Sequence, residues 1–227
     1  MKRTLATLVI GLSLLVGATT SVVAGTYEEA IKIQERMKRE REERKRLLED
    51  EKTGEQKAWE AYQRGDWAVA EREFRRLAEQ GDEWAQHSLG LMYLNGEGVV
   101  QDYKEAEKWV RLAAEQGYQN AHLSLGKMYA NGNGVIQDYK EAVKWYQAAA
   151  EQGNKLSQLM LGLGYAQGNG VDRDFVLAHM WLNLSATNGE EDARSSRDAV
   201  ARMMSSSQIA KAQQLARECV AKNYKGC

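Results

Sequence analysis

The sequence predicts an all-α chain: an α–α superhelix, or solenoid, of helical hairpins, with a charged N-terminal helix and a C-terminal helical cap. Three observations carry that prediction. The 227 residues contain no proline, where average usage would supply roughly ten, and proline is the residue that interrupts helices. A pattern repeats at a fixed step of 36 residues through the middle of the chain. Each copy carries the caps and stops of two helices, and a hairpin that cannot bury its own apolar side must stack on a like neighbour.

The first 24 residues read as a targeting segment. Lys2 and Arg3 precede an uncharged apolar run from Leu5 to Gly17, and Val22-Val23-Ala24 supplies small residues before Gly25. That order predicts a signal peptide over 1–24, cut after Ala24. The alternative, an uncleaved anchor, is disfavoured because a membrane span needs about 20 apolar residues. No cysteine lies near the cut to carry a lipid. The expected location is therefore periplasmic or secreted, with no stable membrane span after cleavage.

Residues 26–52 are different material. Tyr27 to Lys52 holds nine acidic and nine basic residues, and no apolar residue lies between Met37 and Leu47. Glu28/Lys32, Glu35/Arg39, Glu40/Arg44 and Glu42/Arg46 are spaced i, i+4 in the favourable order for a helix. The apolar heptads of a coiled coil are missing. A solvated spacer helix is the simple reading, and a docking arm is the sharper one.

The repeat occupies 82–117, 118–153 and 154–189. Leu89, Leu125 and Leu161 recur in register, as do Gly90/Gly126/Gly162 and Tyr93/Tyr129/Tyr165. The Gly-x-Gly pairs beginning at Gly96, Gly132 and Gly168 keep the step, followed by Ala106/Ala142/Ala178 and Trp109/Trp145/Trp181. In the first copy a helix over about 83–94 places Ala85, Leu89, Gly90 and Tyr93 on one side. Gly90, lacking a Cβ, lets a neighbouring helix approach. Gly96 suits a left-handed helix stop. Asp102 caps the second helix, and Glu105 three residues on forms a capping-box-like pair, repeated as Asp138 and Glu141. Gly117 ends it. A degenerate unit precedes these over 57–81: Asp66, Trp67, Ala70 and Gly81 lie 36 residues before Asp102, Tyr103, Ala106 and Gly117, with a shorter loop between its helices.

These residues resemble a known family. The pattern A-x3-LG-x2-Y-x2-G-x-GV-x2-D-Y/F-x2-A-x2-W-x3-AA-x2-G is similar to Sel1-like repeats, and 57–81 resembles the related tetratricopeptide repeat. The last copy departs from the pattern, with Ser157 at the alanine and Gly164 at the methionine position. The resemblance implies a right-handed superhelix of antiparallel helix pairs with a concave groove. It implies adaptor or scaffold work for protein complexes, often in bacterial envelopes, and no chemistry of the repeat's own. The tail from Trp181 onward resembles the endings of exported members.

The region 190–227 reads as two further helices, Glu190 to Met204 and Ser207 to Lys222, with Ile209, Ala212, Ala216 and Cys219 on one stripe. That pair suits the terminal cap a solenoid needs. Cys219 and Cys227 are the only cysteines. In an exported chain an even count predicts a disulfide, two free thiols being the alternative.

No catalytic or metal-binding set stands out. The glycine loops lack a P-loop lysine and follow helices rather than strands. His87, His122 and His179 are scattered singles without ligand spacing. The periodic tryptophans read as core. A net charge of −1 excludes a nucleic-acid surface, which needs a basic excess. The expectation is no enzyme, no cofactor and no metal.

A site, if present, should be the concave wall. Its first row is Trp84, His87, Ser88, Leu91 and Asn95. A step of 36 gives Asn120, Leu123, Ser124, Lys127 and Asn131, and a second step gives Leu156, Leu159, Met160, Leu163 and Gln167. For the leucines, Leu123 and Leu159 above all, simple packing on the next repeat is the alternative. The leading functional expectation is an exported interaction scaffold that holds a protein or peptide partner of the cell envelope in this groove. One rival is a β-lactam-binding or hydrolysing enzyme of the cysteine-rich Sel1-like type, disfavoured because the repeats hold no cysteine pairs. The other is a structural or regulatory scaffold for cell-wall or polysaccharide machinery, using the charged helix as its arm.

Overall fold

The computed structural model describes residue 29, residues 31–43 and residues 53–227. The expected signal peptide over 1–24 lies outside the described residues. The chain divides into two compact units, Met1–Thr53 and Gly54–Cys227.

In the first unit, residues 31–43 form one helix with every side chain exposed. Arg39 reaches Glu35 at 4.0 Å, and Arg36 bonds Glu40 at 2.9 Å. The other expected pairs involve residues 28, 44 and 46 and lie outside the described residues.

In the second unit the described residues form ten α-helices and no strand. They are α1 (Gly54–Gln63), α2 (Trp67–Glu79), α3 (Glu83–Asn95), α4 (Tyr103–Glu115), α5 (Gln119–Asn131), α6 (Tyr139–Ala150), α7 (Lys155–Gln167), α8 (Phe175–Thr187), α9 (Glu191–Ala201) and α10 (Ser206–Ala221). Consecutive helices pack as hairpins, and each hairpin stacks on the next, which is a helical solenoid.

Local chemistry fixes each hairpin. Gly96, Gly132 and Gly168 stop the first helix of three hairpins at φ 74°, 75° and 79°. The second helix starts on an aspartate: Asp102 Oδ1 accepts from the Lys104 and Glu105 amides, and Asp138 and Asp174 do the same. The expected reciprocal bond from Glu105 and Glu141 does not form. The reason is that the Asp102 amide already donates to the Tyr93 carbonyl at 3.0 Å, as Asp138 does to Tyr129 and Asp174 to Tyr165. The glutamates turn instead to Lys108 and Lys144.

Packing follows the glycine and alanine positions. A Cβ on Gly90 would sit 2.6 Å from Val110 Cγ2, so α3 and α4 approach closely only because the residue is glycine. Between hairpins, a Cβ on Gly134 would fall 2.1 Å from the Tyr103 carbonyl oxygen, so this loop lies directly on the start of α4. Trp109 and Trp181 are buried and Trp145 is half-buried.

Two sets of polar contacts join successive hairpins. Arg75 bonds the Tyr93 hydroxyl at 2.6 Å, and Arg111 bonds that of Tyr129 at 2.8 Å. Gln147 holds the corresponding place at the third junction and bonds Glu151. The second set centres on the buried side chains of Gln86, His122 and Gln158. Gln86 donates to the Ala78 carbonyl and Gln158 to that of Ala150, while Gln116 and Asn188 donate back to Gln86 and Gln158. His122 stands where the other two hairpins have glutamine, and its Nδ1 accepts from Gln152 at 3.2 Å.

Helices α9 and α10 both pack on α8. Ser205 and Gln208 make a capping box at the start of α10. Ala212, Ala216 and Cys219 of the expected stripe are buried, and Ile209 is half-buried. Cys219 and Cys227 are disulfide-bonded. The closed loop seats Tyr224, whose hydroxyl bonds Asn188 Oδ1 at 3.3 Å.

Candidate functional site

At 100° per residue, positions i, i+4, i+7 and i+11 of a helix fall within about 60° of one another. In α3 those positions are Trp84, Ser88, Leu91 and Asn95, directly opposite the buried Gln86 and Leu89 and the half-buried Tyr93. This stripe is open. Asn95 is exposed, and Trp84, Ser88 and Leu91 are half-buried. In α5, Asn120, Lys127 and Asn131 are exposed and Ser124 is half-buried; in α7, Gln167 is exposed and Leu156, Met160 and Leu163 are half-buried.

His87 lies elsewhere. It sits one step round the helix from the stripe and is 7% exposed. Its Nε2 lies 2.9 Å from Ser124 Oγ, and its ring tilts against Tyr118. His87 and Ser124 therefore tie α3 to α5, so a histidine expected on the open wall serves the joint between hairpins. Burial pushes its pKa down to about 4. Burial also lowers His122, against a bond to the Ala114 backbone, and lowers His179, with Arg197 adding to the effect. Leu123 and Leu159 are buried in the core, which is the packing alternative for those two positions.

The structure adds residues that the sequence step of 36 could not find. In α1 the Asp66 amide donates to the Ala61 carbonyl, and the Arg64 amide to that of Glu60. Their counterparts are Asp102 to Tyr93 and Gly96 to Met92. The first helix of the degenerate unit is thus offset from α3 by 32 residues, not 36, because its loop is four residues shorter. In that register Trp59 stands at the place of Leu91, and Gln63 at that of Asn95. Trp59 is 45% exposed, stacks parallel on Tyr62 and meets Trp84 edge-on at 6.2 Å between ring centroids. The signal lies in the two registers of that unit, 32 residues for its first helix and 36 for its second.

The stripe carries one charge, Lys127, and no ion pair among the described residues reaches it. The described residues contain no cluster of three or more His, Cys, Asp or Glu placed to hold a metal. No described helix is long and apolar enough to cross a membrane.

A stack of helical hairpins with polar joints and an open stripe along successive first helices defines a helical-repeat scaffold. The Sel1 repeat model matches residues 85–118, 119–154 and 155–190. A solved Sel1 repeat protein from Oxalobacter formigenes is 41% identical over 56% of this chain and 96% of its own, with a TM-score of 0.53. A protective antigen of uropathogenic Escherichia coli strains, described as displaying an SLR fold, is 30% identical over 69% of this chain, with a TM-score of 0.63. The match spans only 34% of that antigen's length. No curated protein sequence matches this chain. The chain belongs to the Sel1-repeat family, whose members are helical scaffolds that generally serve protein–protein interaction and are generally not catalysts.

Proposed function

We propose that this chain is an exported scaffold that holds a protein or peptide partner of the cell envelope along the open stripe of α1, α3, α5 and α7. The observation that carries the reading is the stripe itself. Trp84, Leu91, Met160 and Leu163 offer partly exposed apolar surface, and Asn95, Asn120, Asn131 and Gln167 offer amides beside it. Such a surface, apolar in places and rimmed by hydrogen-bonding groups, is the usual make-up of a recognition face. The Gln86, His122 and Gln158 side chains of the joints find their partners within the stack, and none of them bonds Trp84, Leu91 or Lys127. His87 and Ser124 contribute to this wall by fixing the spacing of α3 and α5. Export rests on residues 1–24 and is supported by the disulfide, which persists in oxidising compartments.

Two measurements test the proposal. A photo-crosslinking side chain at Leu91 or Lys127 should trap a discrete partner from cell envelopes, and the same group at Glu115, in the last turn of α4, should not. Altering Trp84, Leu91 and Lys127 together should abolish capture while leaving the circular dichroism unchanged. Equal capture from Glu115, or capture that survives the triple change, refutes the groove. Export is checked by the N-terminus of the secreted chain: a start at Gly25 supports it, and an intact chain retained in the cytoplasm refutes it.

A further inference from the structure

The row nearest the middle of the wall reads Trp59, Leu91, Lys127 and Leu163, one residue from each successive first helix. The lysine is flanked on both sides by apolar positions. Trp84 strengthens the apolar character towards α1, and Met160 does so towards α7. A cation in that setting has two consequences. It attracts a negative group that no other stripe residue supplies. It also sits inside the row and not at its end, so a ligand whose charge was a chain terminus would leave the apolar positions on one side empty.

The spacing sets a second condition. The His87–Ser124 bond shows that α3 and α5 are neighbours. Helices that touch only through side chains are spaced by about a full helix diameter, about 10 Å, and a peptide in the extended polyproline II form rises about 3.1 Å per residue and returns a side chain to the same face every third residue. One step along the row therefore matches about three residues of extended chain.

We infer that the ligand is an extended peptide segment that passes through the row with an internal acidic side chain at Lys127 and an apolar side chain about three residues away on each side. This rests on the groove reading above and adds the chemistry of its occupant. The pairing is at the surface, so it selects among ligands more than it tightens them. Exposed ion pairs change affinity by about fivefold at most and weaken as salt rises.

The test uses the full chain and fluorescein-labelled heptapeptides read by anisotropy. The parent probe is Leu-Ser-Ser-Glu-Ser-Ser-Leu with a C-terminal amide, symmetric so that either chain direction presents the same spacing. A second probe carries Gln at the centre, a third carries Lys, and a fourth has the Gln centre with a free terminal carboxylate. At low salt the Glu probe should bind about threefold to fivefold more tightly than the Gln probe. The preference should vanish in Lys127→Gln, and Lys127→Glu should favour the Lys probe instead. Both variants change an exposed side chain, and unchanged circular dichroism confirms their folding. Equal binding of the Glu and Gln probes overturns the inference and leaves the groove reading standing, as does a Glu preference that survives Lys127→Gln. Tightest binding of the free-carboxylate probe overturns it in favour of a chain end. Failure of every probe to bind removes the peptide-groove reading and this inference with it.

Discussion

Gly132 and Gly134 lie two residues apart in one loop and share a left-handed backbone, with φ 75° and 77°. Replacing either by alanine imposes the same conformational penalty, about 1–2 kcal/mol. They differ in what the new methyl would meet. At Gly132 the nearest atom is Gln137 Cβ at 3.4 Å, a contact the side chain can absorb. At Gly134 the methyl falls 2.1 Å from the Tyr103 carbonyl oxygen and 2.7 Å from its carbon, both backbone atoms of the preceding hairpin. Neither can move without shifting the start of α4, and overpacking of this kind costs a further 1–3 kcal/mol or so. Gly134→Ala should therefore lose about 2–5 kcal/mol and Gly132→Ala about 1–2 kcal/mol. Urea denaturation followed by circular dichroism measures the pair, and the difference cancels the shared backbone penalty. Equal losses, within about 0.5 kcal/mol, would show that the loop does not bear on the neighbouring hairpin and would refute the account of how hairpins are stacked.

Gly126→Ala tests the packing within a hairpin, since its methyl would meet Tyr146 Cε1 at 2.5 Å; a loss of about 1–3 kcal/mol is expected, and a neutral change refutes the close approach of α5 and α6. His87 is held near pKa 4 by burial, against 6.5 unburied. As pH falls below 6.5 the unfolded chain takes up a proton that the folded chain refuses, so stability present above pH 6.5 is lost progressively down to about pH 4. The loss reaches about 3 kcal/mol, and His87→Gln should flatten that slope relative to the parent; parallel pH curves exclude the assignment. Cys227→Ser opens a loop of sequence separation 8 and should lower stability by about 2–3 kcal/mol on the chain-entropy account, with hydrogen exchange rising first at Tyr224 and Asn188; an unchanged midpoint refutes it. A double-mutant cycle of Arg111→Gln with Tyr129→Phe should give a coupling of about 0.5–1.5 kcal/mol, and zero coupling would make that junction contact incidental.

The repeated parts of this fold were legible because they obey rules local in sequence. Left-handed glycines after α3, α5 and α7, aspartate caps before α4, α6 and α8, and a step of 36 placed the hairpins without any knowledge of contacts. Helical angle alone marks the side that carries the stripe but not its limits, since His87, Leu123 and Leu159 are buried. The failures at Glu105, at His87 and at the buried ladder share one cause, which is that partners come from another helix. Glu105 was expected to close a capping box, yet Tyr93, nine residues before Asp102, had already taken that amide. His87 was expected on the wall, yet a serine 37 residues on drew it into the joint. Trp59 was missed because the degenerate unit has a different period in each of its helices. The ladder through Gln86, His122 and Gln158 was visible as a register but not as a set of bonds. Its acceptors are backbone carbonyls of the preceding hairpin, to which sequence spacing gives no guide.

The division between joint and wall has a physical basis that the four hairpins make plain. At the positions facing the paired helix the residues are Ala58, Gly90, Gly126 and Gly162, all small, because backbone-to-backbone approach leaves no room for choice. One residue further round, where the side chain meets water, the same four units carry Trp59, Leu91, Lys127 and Leu163, which differ in size, shape and charge. A change at the first kind of position moves a helix; a change at the second leaves every hydrogen bond of the ladder and every cap in place. The wall can therefore be rewritten one hairpin at a time without loss of the stack. Because each hairpin contacts only its neighbours, the order of hairpins along the chain sets the order of side chains along the wall. An extended ligand that runs across the hairpins meets those side chains in sequence, and a partner that touched one hairpin alone would use none of that order.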